Sequence, residues 1–168
     1  MNVAAGIKDR VVTAYNLEAD RLDAHDLAAW LAWVHDEFRY EVPIPVTRDD
    51  PRAPQHSSTG FLAVETKDSV ALWVSRLSPA LVDAAYAENP PVRTRHFVTN
   101  VQVAKEQDHL NVTSNVLLTW GKWNEEMRFL SAQRQDVLLD DGRELTLLRR
   151  RALLDTNVIR LSHFRVII

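Results

Sequence analysis

Six histidines, at positions 25, 35, 56, 96, 109 and 163, are the side chains best suited to move a proton near neutral pH or to hold a transition metal. No two stand as His-x-His or His-x-x-x-His, the spacings that put two imidazoles on one strand face or one helix face. The two histidines and a carboxylate that a mononuclear iron requires would have to converge from distant segments, and no metal site is expected. One Asp–His combination is placed for chemistry. Asp23 falls at a helix junction and His96 opens the first long strand, so both can point into a cavity between helices and sheet. Such a pair could make a general base, the carboxylate orienting the imidazole and raising its basicity. The plainer role is favoured: Asp23 caps the second helix or meets Arg21, and His96 is a satisfied pocket residue. Four glycines form no phosphate-binding loop, and no serine sits in a nucleophile-elbow pattern.

The elements that would carry these residues read clearly. Ile7, Val11, Tyr15 and Leu22 share one face of a helix over 3–22. Asp26 is a fair N-cap for a second helix, in which Leu27, Trp30, Leu31 and Val34 recur at helical spacing. Phe38 to Val42 alternates apolar and polar, as a strand does. Pro43, Pro45, Pro51 and Pro54 mark a long loop over 43–58. A short strand from Gly60 to Glu65 follows. A third helix is capped by Asp68, faces Val70, Trp73, Val74, Leu77 and Leu81 inward, is disturbed at Ser78-Pro79, and ends at Glu88-Asn89-Pro90-Pro91. The remainder alternates with period two in long strands: from Phe97 to Val103, Leu110 to Trp120, Met127 to Leu139, Arg143 to Leu154, and Val158 to Ile168. Asp140-Asp141-Gly142 supplies one tight turn. Helices first and an antiparallel meander afterwards define an α+β chain. The natural architecture is a cone, with the N-terminal helices packed in a strongly curved sheet. Residues 1–168 are expected to form one domain.

Composition narrows the function. The chain is 46% hydrophobic, carries a net charge of -3 with both signs mixed, and has no long basic run, which disfavours a nucleic-acid partner. The string Arg149-Arg150-Arg151 lies in a strand pattern and is expected on a sheet surface or at an interface, with Arg149 and Arg151 as interface candidates. Cysteine is absent, which excludes disulfides, thiolate metal sites and a Rieske iron–sulfur centre in this chain. The N-terminus lacks the apolar stretch of a signal peptide and no segment reads as a membrane span, so a cytoplasmic protein is expected. Among five tryptophans, Trp30 and Trp73 fall on core-facing helix positions. Trp120 and Trp123 flank a strand end around Gly121, where interface anchoring and plain core or turn packing both remain open.

Five segments together carry a family resemblance. Asn89-Pro90-Pro91-Val92-Arg93-Thr94-Arg95-His96-Phe97-Val98-Thr99-Asn100-Val101 resembles the Pro-Pro-x-Arg-x-Arg segment of the β subunits of bacterial aromatic-ring-hydroxylating dioxygenases. Thr113 to Leu118 resembles that family's following strand, and Ala132-Gln133-Arg134-Gln135-Asp136 its Ala-x-Arg-x-Asp segment. Arg150 to Asp155 with Val158-Ile159 resembles its ending, and Glu18 to Asp23 with Trp30 its first helix pair. The segments stand in order over nearly the whole chain. Phe164 to Ile168 departs from the usual Asn-Leu-x-x-Phe-Leu finish but keeps the alternation. The resemblance implies a cystatin-like, NTF2-like cone. It implies a partner α subunit that carries the Rieske [2Fe–2S] cluster and the mononuclear iron, and through which the electron-transfer components act. It implies an α3β3 hexamer with a β trimer as stem, aromatic-ring dihydroxylation by the α subunits, and no catalytic centre in this chain. A free-standing dehydratase or isomerase of the same fold, using Asp23 and His96, is the alternative.

Overall fold

The computed structural model describes residues 5–50, 52–75, 92–122, 126–157 and 167–168. Helix α1 (Ala5–Asp23) presents Val11, Tyr15, Glu18 and Leu22 to the interior, a stripe at i, i+4, i+7 and i+11. It ends without glycine: His25 takes the left-handed conformation (φ 58°), Asp26 N–H donates to the Arg21 carbonyl at 2.8 Å, and His25 N–H donates to that of Leu22. Asp26 then caps helix α2 (Leu27–Trp33), its carboxylate accepting from Ala29 N–H at 3.1 Å. Helix α2 buries Trp30 against Phe38, edge to face.

Strand β1 (Val34–Pro45) follows without a loop. It is longer at both ends than the alternation of 38–42 suggests, and the expected loop over 43–58 shrinks to 46–55. Pro43 is tolerated because it sits at a register shift, beyond the last residue, Glu41, that β1 pairs with β6. Strand β2 (His56–Thr66) returns antiparallel to β1, again longer than the Gly60–Glu65 expectation. Helix α3 (Lys67–Ser75) starts one residue before Asp68. Thr66 and Ser69 cap it reciprocally, each side chain accepting from the other's N–H, while Asp68 contributes its charge to the first turn. The expected continuation through Leu77, Ser78-Pro79 and Leu81 to Pro91 lies outside the described residues.

Strands β3 (Arg93–Glu106), β4 (His109–Gly121), β5 (Arg128–Asp140) and β6 (Leu145–Leu154) form the antiparallel meander. The β5–β6 turn uses the expected residues. Gly142 has φ +89°, and the Asp141 carboxylate accepts from the N–H groups of Arg143 and Glu144 at 2.8 and 2.7 Å. The six-stranded sheet has the order β2-β1-β6-β5-β4-β3. It is mixed, not wholly antiparallel, because β1 lies parallel to β6. On β4 and β5 the even-numbered residues face the helices and the odd ones face out. The core joins Val11, Tyr15 and Leu22 of α1 to Leu110, Val112, Val116 and Leu118 of β4 and Leu130 and Leu138 of β5. Of the expected strand over 158–168 only Ile167 and Ile168 are described, and both are buried.

Candidate functional site: two buried ion clusters

The structure brings Asp23 and His96 together. Asp23 ends α1, and Thr94 and His96 lie on the inward side of β3. The Asp23 carboxylate receives four donors or partial donors: His96 Nδ1 at 2.6 Å, the backbone N–H of His96 at 3.1 Å, Thr94 Oγ1–H at 3.0 Å and, more distantly, an Arg95 Nη1 at 3.7 Å. Burial alone would push this carboxyl up, but the hydrogen bonds from His96 and its charge outweigh it and hold Asp23 below the usual aspartate range. Asp23 therefore neither caps α2, which is Asp26's role, nor pairs with Arg21.

The far side of the imidazole decides what the pair can do. His96 Nε2 lies 3.0 Å from the carbonyl oxygen of Ile167, and the side chain is 2% exposed. Nε2 faces a carbonyl, which can only accept, and Nδ1 faces the Asp23 carboxylate, which also accepts. Both ring nitrogens are thus turned toward oxygen acceptors of the protein. In this arrangement His96 is a clasp joining α1, β3 and residues 167–168.

A second cluster lies deeper, and residue-by-residue sequence reading did not anticipate it. Glu18 Oε1 accepts from Trp30 Nε1 at 3.0 Å and from Arg150 Nη1; Oε2 accepts from Arg134 Nη1 and Arg150 Nη2, each at 3.0 Å. Arg150 also grips Asp136 through Nε (3.0 Å) and Nη2 (2.7 Å), and Tyr15 O–H donates to Asp136 at 2.7 Å. All four ionic side chains are at most 1% exposed. Two cations and two anions balance. Burial would raise Glu18, yet Arg150 and then Arg134 overcome it and bring its pKa down to about 2. Burial and the proximity of Asp136 push the Tyr15 hydroxyl up, so it stays a donor. Arg150 is saturated, whereas Arg134 Nε and Nη2, with Ser114 Oγ across the strand pair, have no hydrogen-bond partner among the described residues. Burial and then Arg150 lower Arg134 accordingly.

The signal for this cluster was parity. Arg134 and Asp136 share the inward register of Leu130, Ala132 and Leu138, and Arg150 that of Ala152 and Leu154. Glu18 completes the apolar stripe of α1. The expectation that Arg149-Arg150-Arg151 is a surface string is thus corrected for its middle member, which alternation turns inward. Arg149 is exposed and Arg151 half-buried, both on the outer face. Trp120 is 7% exposed and packs in the core. It lies on β4, with β5 between it and the β6 arginines. Trp123 lies outside the described residues. Trp30 is fully buried and Trp73 packs partly against the core.

One Glu-x-x-His spacing exists, Glu106 to His109. It spans the β3–β4 turn at 3.6 Å, with Glu106 mostly exposed, rather than lying on an inward helix face. Among the described residues no group of three or more His, Asp or Glu side chains is arranged to hold a metal ion. No helix among them is long and apolar enough to cross a membrane.

Helices on the inner face of an open, mixed six-stranded sheet place the chain in the cystatin-like α+β class. A structure from Nostoc punctiforme described as a protein of unknown function with a cystatin-like fold superposes with a TM-score of 0.58 at 16% identity, covering 96% of this chain and all of that one. The sequence model of the ring hydroxylating beta subunit family matches residues 17–161, and the chain belongs to that family. A chain of naphthalene 1,2-dioxygenase, solved with indole in the active site, superposes with a TM-score of 0.82 at 21% identity, covering 98% of this chain and 87% of that one. The beta subunit of benzoate 1,2-dioxygenase from Burkholderia mallei does so with a TM-score of 0.70 at 16% identity, over 99% of both chains. The chain is therefore the β component of a ring-hydroxylating dioxygenase, an oxidoreductase whose α subunit is its partner.

Proposed function

We propose that this chain has no catalytic centre of its own and acts as a cytoplasmic scaffold. It would stabilise an α3β3 hexamer, with a β trimer as stem, whose α subunits dihydroxylate an aromatic ring. The Rieske [2Fe–2S] cluster and the mononuclear iron belong to the α subunit, and electron-transfer components act through it. A chain without cysteine does not fit the Rieske group, which takes two thiolates. The observation that carries the reading is the imidazole of His96. Both its nitrogens are spent on Asp23 and the Ile167 carbonyl, so the best-placed acid–base pair in the chain serves to hold elements together.

Reconstitution with the iron-bearing partner tests this. His96→Phe and Asp23→Asn are each expected to leave dioxygenase turnover of the assembled complex within a few-fold. Removing a general base usually costs ~10²–10⁴-fold. The dehydratase reading requires the reverse: a lyase or isomerase activity of the lone chain, abolished by either change. Finding that activity would overturn the scaffold role.

A further inference from the structure

The deep ion cluster leaves one guanidinium half used. Arg134 spends Nη1 on Glu18 Oε2 at 3.0 Å. Its Nε and Nη2 have no hydrogen-bond partner among the described residues, and neither has Ser114 Oγ. The side chain of Arg134 is 1% exposed and Ser114 is 0% exposed, so bulk solvent does not reach these groups. Unmet donors so deeply buried are costly, and a native interior usually satisfies them. The three atoms belong together. Ser114 on β4 and Arg134 on β5 are direct cross-strand partners on the inward face of the sheet, a pairing that brings Cβ atoms to about 5 Å. Nε–H and the Nη2–H beside it point the same way from one edge of the guanidinium plane, the edge that grips an oxygen acceptor as a fork. The Tyr15 ring also lies near this cation, its centroid 6.0 Å from Arg134 Cζ, but a π face is a weak acceptor and does not replace an oxygen.

We propose that this edge and the Ser114 hydroxyl hold one buried water molecule as a fixed part of the fold. Charge decides between water and an anion. Arg134 and Arg150 are already balanced by Glu18 and Asp136, and a further anion would put surplus negative charge into an interior closed to solvent. The ligand must be neutral, accept from the two N–H groups and still have a hydrogen to give a hydroxyl oxygen. Water meets all three conditions, and buried waters typically make about three hydrogen bonds to groups of this kind. The bound water also widens the cluster. Its ionic members stand on α1, β5 and β6; through Ser114 the water ties in β4.

High-resolution diffraction from the full chain in complex with its iron-bearing partner tests this, with crystals grown free of halide and again in bromide. The wild-type complex is expected to show one peak of water-like occupancy within about 2.7–3.2 Å of Ser114 Oγ and of Arg134 Nε or Nη2. Bromide should add no anomalous signal there. Ser114→Val puts a methyl group into the same space and is expected to lose this peak while waters bound elsewhere stay. Anomalous scattering from bromide at the position would give the site to an anion and overturn the proposal. So would a protein atom occupying it, the lack of any density beside the edge, or a peak that persists unmoved in Ser114→Val. The two wild-type crystals decide between water, anion and protein even if the variant fails to assemble.

Discussion

The two buried ion clusters solve the same problem with opposite margins. Glu18, Arg134, Asp136 and Arg150 sit in the centre of the interior, and their cations are guanidinium groups that stay charged at any ordinary pH. Asp23 and His96 sit where α1 ends, and the carboxylate's main partner there is an imidazole. The deep cluster links α1 to β5 and β6, the spine of the sheet. The shallower one links α1 to β3, the edge. On the scaffold reading proposed above, burying charge in this cone is structural in both places, and the dependence on it is expected to be greater at the centre.

Removing Arg150 breaks the deep cluster most severely, since it serves both carboxylates. Arg150→Met leaves Glu18 and Asp136 buried with little compensation, a loss of roughly 3–5 kcal/mol, or on the order of 10 °C in Tm for a chain of this size. Thermal unfolding followed by circular dichroism measures it. A shift of only a degree or two would show that the cluster is not the keystone.

Acid should open the same cluster by a graded route. Glu18 titrates near 2 in the folded chain and near 4.5 once unfolded. Its contribution is therefore complete above about pH 4.5 and is lost as pH falls from there towards 2, about 3 kcal/mol in all. Asp23 is depressed as well and acts in the same direction. Urea unfolding at pH 6 and pH 3 should show the loss, and Glu18→Gln should flatten it. An unaltered slope in that variant would assign the acid sensitivity elsewhere.

The smallest effect is expected at the shallower clasp. Asp23→Asn keeps an acceptor for Thr94 and the His96 backbone but gives up the charged partner of the imidazole, at a cost of about 1–2 kcal/mol. A loss equal to that of Arg150→Met, measured in the same unfolding assay, would erase the distinction between centre and edge.

Much of this was legible from residue types. The Asp26 cap, the Asp140-Asp141-Gly142 turn and the period-two strands appear where short-range rules place them, because each depends on neighbours within a few residues. The Asp23–His96 contact was also reachable, since both lie at element ends facing one interior. Its second half was not: the Ile167 carbonyl that occupies Nε2 is a backbone group with no mark in the sequence. Arg150 was misplaced because three arginines in a row read as one surface string, while a strand turns every second one round. Parity against Ala152 and Leu154 would have corrected it. The extent of β1 and β2 was underestimated because prolines weigh heavily in local reading, and a register shift that tolerates Pro43 can be seen only in the paired strands.

The parallel seam between β1 and β6 has a consequence for how the chain is made. Arg39 lies beside Arg149, and Glu41 beside Arg151. The meander from β3 to β6 can zip up hairpin by hairpin, each closing a short loop, but β1 can join it only after β6 exists. At ribosomal speeds that interval lasts roughly 5–20 s. Throughout it the inward side of β1, with Val34, Phe38, Tyr40 and Val42, has no strand to cover one edge and no completed interior to enter. The nascent β1–β2 hairpin is thus the segment of this subunit most in need of a chaperone's shelter.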